Sequence, residues 1–196
     1  MSTMIIGITG TPGTGKSTLA RMLAEALGGR HIEVSRLIID EKLWIGIDKE
    51  RSNALIADID ALKRYLERLA MSTECLIIDS HFAEELIKDL PGDKMLIVLR
   101  LDPYVLLERL ERRKWPQAKI RENLEAEIIG VCSANALSSG ITRVCEIDAT
   151  GLSPRDLLRR ALRIMEGVEP CRVHVDWMER YGDRILDLLS GLEPVS

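Results

Sequence analysis

No stretch of the 196-residue chain reaches the ~18 consecutive apolar residues of a membrane-spanning helix, so a helical membrane protein is excluded. The N-terminal "MSTMIIGITG" lacks both a charged n-region and a cleavage site, so no signal peptide is expected. Cysteine is scarce. Cys75, Cys132, Cys145 and Cys171 match neither zinc-site spacing nor a redox pair, and three of them sit in apolar runs. The expectation is buried free thiols in a reducing compartment, hence an intracellular, cytoplasmic protein. There is no excess of positive charge: 27 Lys+Arg face 31 Asp+Glu, for a net charge of −4. The surface as a whole is therefore no nucleic-acid footprint, although a local basic patch stays open. The balance suits a small-molecule enzyme, or a protein with a basic macromolecular partner. There is no internal repeat and no low-complexity linker, so the length implies a single domain over 1–196.

What the chain does have is an alternation of apolar runs and helical patterns. "MIIGIT" (4–9), "HIEV" (31–34), "CLIID" (75–79), "MLIVLRL" (95–101) and "RVCEID" (143–148) read as strands. Helices are expected at about 16–27, 35–43, 54–70, 103–113, 117–137, 154–166 and within 173–190, with a polar segment at 46–53. Asp102-Pro103 and Ser153-Pro154 are helix-start signals. Five buried strands alternating with helices predict an α/β fold, a parallel sheet covered on both faces. Ligands of such sheets sit at the carboxyl ends of the strands, so the loop after the first strand and Asp79 should meet.

That loop carries the strongest signal. Gly10-x4-Gly15-Lys16-Ser17 fits the phosphate-binding pattern in full, between a strand and a helix. Glycines at 10, 13 and 15 let the backbone turn its N–H groups inward, and the helix start adds its dipole. Lys16 would place charge on the β and γ oxygens of a nucleoside triphosphate, and Ser17 could ligate Mg²⁺. Asp79, at the end of an apolar strand, reads as a magnesium partner or as the cap of the next turn. His81 could orient an attacking water, or be satisfied at a helix start. Arg109, Arg112 and Arg113 share a helical edge before Trp115-Pro116. They could close on a transferred phosphoryl group, or simply pair with Glu108 and Glu111 on a solvated face. Arg155, Arg159, Arg160 and Arg163 form a stripe that is a solvated face or an RNA contact. Trp177 reads as an anchor docking the tail.

"GTPGTGKST", "IIDSH" and "LRLDPYVLLERLERRKWPQAKIRENLEAEI" resemble the adenylate kinase isoenzyme 6 family, also called the coilin-interacting nuclear ATPase family, which has archaeal members. The resemblance covers roughly residues 4–165. It implies a P-loop NTPase of the nucleoside monophosphate kinase-like class: a monophosphate-binding region near 30–60, a short lid near 109–119 and a C-terminal helical extension at 168–196. It implies Mg²⁺-dependent transfer from ATP to AMP or another nucleoside monophosphate, with ATPase activity. A small-subunit ribosomal protein as partner, and with it indirect rRNA contact, is implied by the same family. By position, Gly13, Thr14, Gly15, Lys16, Ser17 and Thr18 would bind ATP phosphates, and Arg113 would be the lid arginine that contacts ATP. Asp79 and His81 would serve hydrolysis, with Arg109 supporting the lid. The chain departs from the family at Lys114-Trp115, where the lid reads Gly-Tyr, and at Ile39, where an arginine is frequent. Arg36, or less favourably Arg51, could replace that cation. Two other readings stand beside the kinase: an ATP-driven ribosome assembly factor, and a small-metabolite kinase on the same fold.

Overall fold

The computed structural model describes residues 3–48 and 54–192; Arg51, one of the two candidate acceptor cations, lies outside the described residues. In chain order the elements are β1 (Met4–Gly10), α1 (Lys16–Leu27), β2 (Arg30–Glu33), α2 (Val34–Asp40), β3 (Trp44–Asp48), β4 (Ala54–Ala57), α3 (Ile59–Ala70), β5 (Cys75–Asp79), α4 (Ala83–Ile87), β6 (Asp93–Arg100), α5 (Pro103–Arg112), α6 (Gln117–Ile128), α7 (Val131–Ser138), β7 (Val144–Asp148), α8 (Pro154–Met165), α9 (Trp177–Tyr181) and α10 (Arg184–Ser190).

Side chains that alternate along a strand point to opposite faces, and the five long apolar runs use both. Ile6, Ile8, Ile77, Ile97 and Leu99 enter one buried cluster with α1, α5, α6 and α8. Ile5, Leu76, Ile78, Leu96 and Val98 enter the other, with α2, α3, α4 and α7. Burying each such side chain stabilises the fold by about 1.5–3 kcal/mol. The result is the expected five-stranded parallel sheet, in the order β2-β5-β1-β6-β7. Ile8 pairs in register with Asp79, so the end of β5 lies beside the loop that follows β1.

The expected elements need four corrections. The pattern that reads as a helix from 54 begins as a strand: β4 pairs antiparallel with β3 as a separate two-stranded ribbon. The helix starts only at Ile59, because the Asp58 carboxylate accepts the Ala61 N–H at 2.9 Å and caps it there. The long helix over 117–137 is two helices, parted where Gly130 turns left-handed (φ 69°). The tail likewise holds two short helices, α9 and α10, and α4 is a further short helix that the sequence pattern did not indicate. Finally, Cys145 and Cys171 are not free thiols; they form a disulfide across a sequence separation of 26. Cys75 and Cys132 are free, with Cys75 buried. Among the described residues no helix is long and apolar enough to cross a membrane.

Candidate active site at the phosphate loop

The backbone of the loop dictates its glycines. Gly10 has φ 138°, and a Cβ there would lie 2.4 Å from the Leu99 carbonyl oxygen. Gly13 has φ 102°, and a Cβ would run into Leu106 at 2.8 Å. Neither position admits a side chain. The Thr11 carbonyl oxygen anchors the turn. It accepts the Thr14 N–H at 3.2 Å, the Thr14 hydroxyl at 2.9 Å and the Lys16 ammonium at 3.2 Å. Thr14 is thus turned inward and buried, and its side chain does not face the cleft. Gly13, Gly15, Lys16, Ser17 and Thr18 do line it, and the Ser17 hydroxyl is exposed there. Burial pushes the Lys16 ammonium below its ordinary pKa, and the Asp79 carboxylate opposes that shift.

The cleft has a volume of about 830 Å³, a size suited to a small-molecule ligand. Asp79 and His81 line it together with Arg113 and Trp115, so most of the residues that the sequence pattern singled out converge; besides Thr14, two arginines of α5 do not. Arg109 does not line the cleft. Its guanidinium donates to the Gly13 carbonyl oxygen at 3.0 Å and grips the loop from outside, and desolvation with the nearby Arg113 charge lowers its pKa. Arg112 lies on the solvated face, 3.5 Å from Glu108. Asp79, 4% exposed, has a partner that was not anticipated: one carboxylate oxygen lies 3.0 Å from His31 Nε2. His31 is on β2, and only the neighbouring position of β2 and β5 in the sheet brings the two together. His81 presents an exposed ring to the cleft, yet the cleft walls desolvate it and Lys16 repels its charge, so its pKa is pushed below the ordinary histidine value. That shift favours the uncharged ring, which can accept a hydrogen bond.

Hard oxygen donors are what magnesium requires, and the Ser17 hydroxyl and the Asp79 carboxylate supply two on one cleft wall. Among the described residues no group of three or more His, Cys, Asp or Glu could hold a metal alone.

Ile38 and Ile39 of α2, Leu55, Ile56 and Ala57 of β4, and Phe82 give the same cleft an apolar lining, interrupted by Glu33, Ser35 and Asp48. Ile39 is 61% exposed. Arg36 does not replace the missing cation: it is 78% exposed and pairs with Asp40 at 3.3 Å, outside the cleft. Lys16 and Arg113 are the cations that line the cleft among the described residues.

Residues 6–130 match the family described as AAA domain. A protein of Thermococcus onnurineus (strain NA1), named "Putative adenylate kinase", is 34% identical over 96% of this chain and 99% of its own length. The chain belongs to this family. Another relative of the same name, from Saccharolobus solfataricus, is 32% identical over 97% of this chain and 98% of its own length. The resemblance to isoenzyme 6 therefore holds at the broader level of AAA-domain proteins with archaeal relatives that carry the adenylate kinase name. The shikimate kinase of Acinetobacter baumannii, solved with shikimate, superposes with a TM-score of 0.56 at 16% identity, over 87% of this chain and 96% of that one. At that identity the likeness is one of fold: this AAA-domain protein has the P-loop kinase architecture.

The basic stripe on α8 is largely neutralised within the fold. Arg159 pairs with Asp156 at 2.8 Å, and Arg163 pairs with Glu169 at 2.7 Å. Trp177 is 0% exposed and anchors the tail.

Proposed function

We propose that this chain transfers the γ-phosphoryl group of ATP to a nucleoside monophosphate, with AMP as the acceptor and two ADP as the product. The observation that carries this reading is one cleft of about 830 Å³ that the phosphate loop, Ser17, Asp79 and Arg113 line together with the apolar side chains of α2 and β4. The adenylate kinase name of the archaeal relatives supports the choice of nucleotides.

In this reading the loop amides and Lys16 grip the β and γ phosphates, and Ser17 with Asp79 would hold magnesium. Magnesium, when bound, draws charge from the phosphate oxygens. Asp79 is fixed for that task by His31, which occupies one of its oxygens. Arg113, at the turn between α5 and α6, meets charge that develops on the transferred group; one such donor is worth about 10²–10³ in turnover. The apolar wall from α2 and β4 takes the acceptor's base and sheds water around it. No enzyme-bound intermediate is needed, because positioning and electrostatics suffice for a phosphoryl transfer in line.

A second reading has one observation in its favour: among the described residues, the acceptor side presents no cation of its own. Water would then be the acceptor, oriented by neutral His81, and hydrolysis would drive release from a basic small-subunit ribosomal protein. The test compares ATP turnover with AMP, with water alone and with that protein added. Turnover that requires AMP supports the kinase; turnover indifferent to AMP refutes it, and stimulation by the protein selects the second reading.

A further inference from the structure

Glu127 belongs to the "EN…EI" block of α6, is 1% exposed and does not line the cleft. Both of its oxygens are engaged, and every partner is a donor. One oxygen accepts from Arg100 Nε at 2.9 Å, from the Leu101 N–H at 3.0 Å and from the Trp177 indole N–H at 3.0 Å. The other accepts from the Thr11 hydroxyl at 2.6 Å. Thr11 is the residue whose carbonyl oxygen holds Lys16 and Thr14 in place. One buried carboxylate thus joins the hub of the phosphate loop to the C-terminal tail.

The tail end of this linkage is itself built. Glu146 accepts the His174 and Val175 N–H groups at 2.6 and 2.7 Å, and it pairs with Arg100 at 2.7 Å. Arg100 also donates to the Val175 carbonyl oxygen at 3.1 Å and to the Glu127 carbonyl oxygen at 2.7 Å. Burial disfavours the Arg100 charge, but Glu127 and Glu146 outweigh it and raise its pKa. A hydrogen bond to a buried carboxylate that has no water to fall back on is strong and directional. The Thr11 side chain cannot turn without leaving one oxygen of Glu127 unpaired, so the loop is held in its phosphate-ready turn before any ligand arrives.

We infer that Glu127 is a positioning residue for the phosphate loop, and that the docked tail, through Trp177, sets how tightly it performs that task. The inference rests on the reading that the loop holds a triphosphate. It gives the tail a part in nucleotide affinity that its position far from the cleft does not suggest.

Removing the Glu127 carboxylate would also cost Arg100 one of its two buried ion-pair partners, so the test acts on the two donors. Titration calorimetry of the full chain with MgATP compares the unaltered protein with Thr11→Val, Thr11→Ser, Trp177→Phe and the double variant Thr11→Val/Trp177→Phe. Thr11→Val is expected to weaken MgATP about tenfold, Trp177→Phe about threefold, and Thr11→Ser to restore binding to within about twofold. The double variant should fall short of the product of the single effects, because both donors act on one carboxylate. Thermal melting of each variant gives the stability change separately. Unaltered affinity in Thr11→Val with a lowered melting temperature would reduce the contact to a structural one and overturn the inference, as would strictly multiplicative effects. No heat from the unaltered chain would instead overturn the nucleotide reading, and this inference with it.

Discussion

Substituting Cys171 by serine should unfasten the tail at its first anchor. The disulfide joins Cys145, fully buried in β7, to an exposed residue in the segment ahead of α9, across a separation of 26 residues. Loop-closure entropy for a ring of that size is worth about 3.5 kcal/mol at 25 °C. Little offsets this loss in the Cys171→Ser variant. The freed Cys145 thiol stays among apolar neighbours, where a thiol behaves as a small hydrophobe. For a chain of this size, each kcal/mol moves the melting temperature by about 2–4 °C, so the variant should melt about 7–14 °C lower. The assay is thermal unfolding with and without a dithiol reductant. The unaltered chain should fall to the variant's melting temperature when reduced, and the variant should not respond. Equal melting temperatures for the unaltered chain and Cys171→Ser would refute the reasoning, as would titration of all four cysteines as free thiols in the folded, unreduced protein.

Three further outcomes follow from the same geometry. Arg109→Ala, which releases the Gly13 carbonyl oxygen, should weaken MgATP binding, whereas Arg113→Ala should lower turnover with binding less affected; KM and turnover numbers for the two variants check this, and identical profiles would contradict it. Glu146 is desolvated, yet its bonds from Ser133, Val175, Arg100 and His174 prevail and hold its pKa below the ordinary 4.5. The stability it adds is therefore complete above that value and lost as pH falls through the folded-state pKa; denaturant midpoints between pH 6 and pH 3 should drop less steeply in Glu146→Gln. Tyr181 donates its hydroxyl to Asp102, the cap of α5, and its pKa is pushed up from 10.0 to about 12. That contribution is complete below pH 10 and fades as pH rises towards 12; phenolate absorbance should show the late step, and Tyr181→Phe should lack it.

The sheet was legible because its central strands are buried on both faces and read as unbroken apolar runs such as "CLIID" or "MLIVLRL"; the edge strand β2, with only Ile32 buried, is a weaker signal. The phosphate loop was legible because its φ angles exclude all but glycine where the pattern has glycine. The β3–β4 ribbon was not. Leu55 falls in helical register with Ile59 and Leu62, and the ribbon leaves Ile45, Ile47 and Ile56 exposed, so no alternation marks it as a strand pair. Tertiary pairing then overrode the periodicity. Glu127 was hidden for the opposite reason: an acidic residue in a helix that also carries Lys119, Arg121, Glu122 and Glu125 reads as solvated, and only Arg100 and Trp177, distant in sequence, show that it is buried. The Asp79–His31 contact depends on strand order, which a single sequence does not encode locally. The arginines were found as a group, but Arg109 was expected to support the lid, whereas it braces the phosphate loop. A turn of helix separates Arg113, which faces the cleft, from Arg109, which braces the loop, and the side each one takes depends on where the loop lies.

The most direct test of the account follows the γ phosphorus atom itself. ATP labelled at that position is incubated with AMP, magnesium and the full chain, and the products are separated. The account predicts the label in ADP, at a rate that falls by about 10²–10³ or more in Lys16→Ala. Label recovered only as inorganic phosphate, or label transferred equally well by Lys16→Ala, would contradict it.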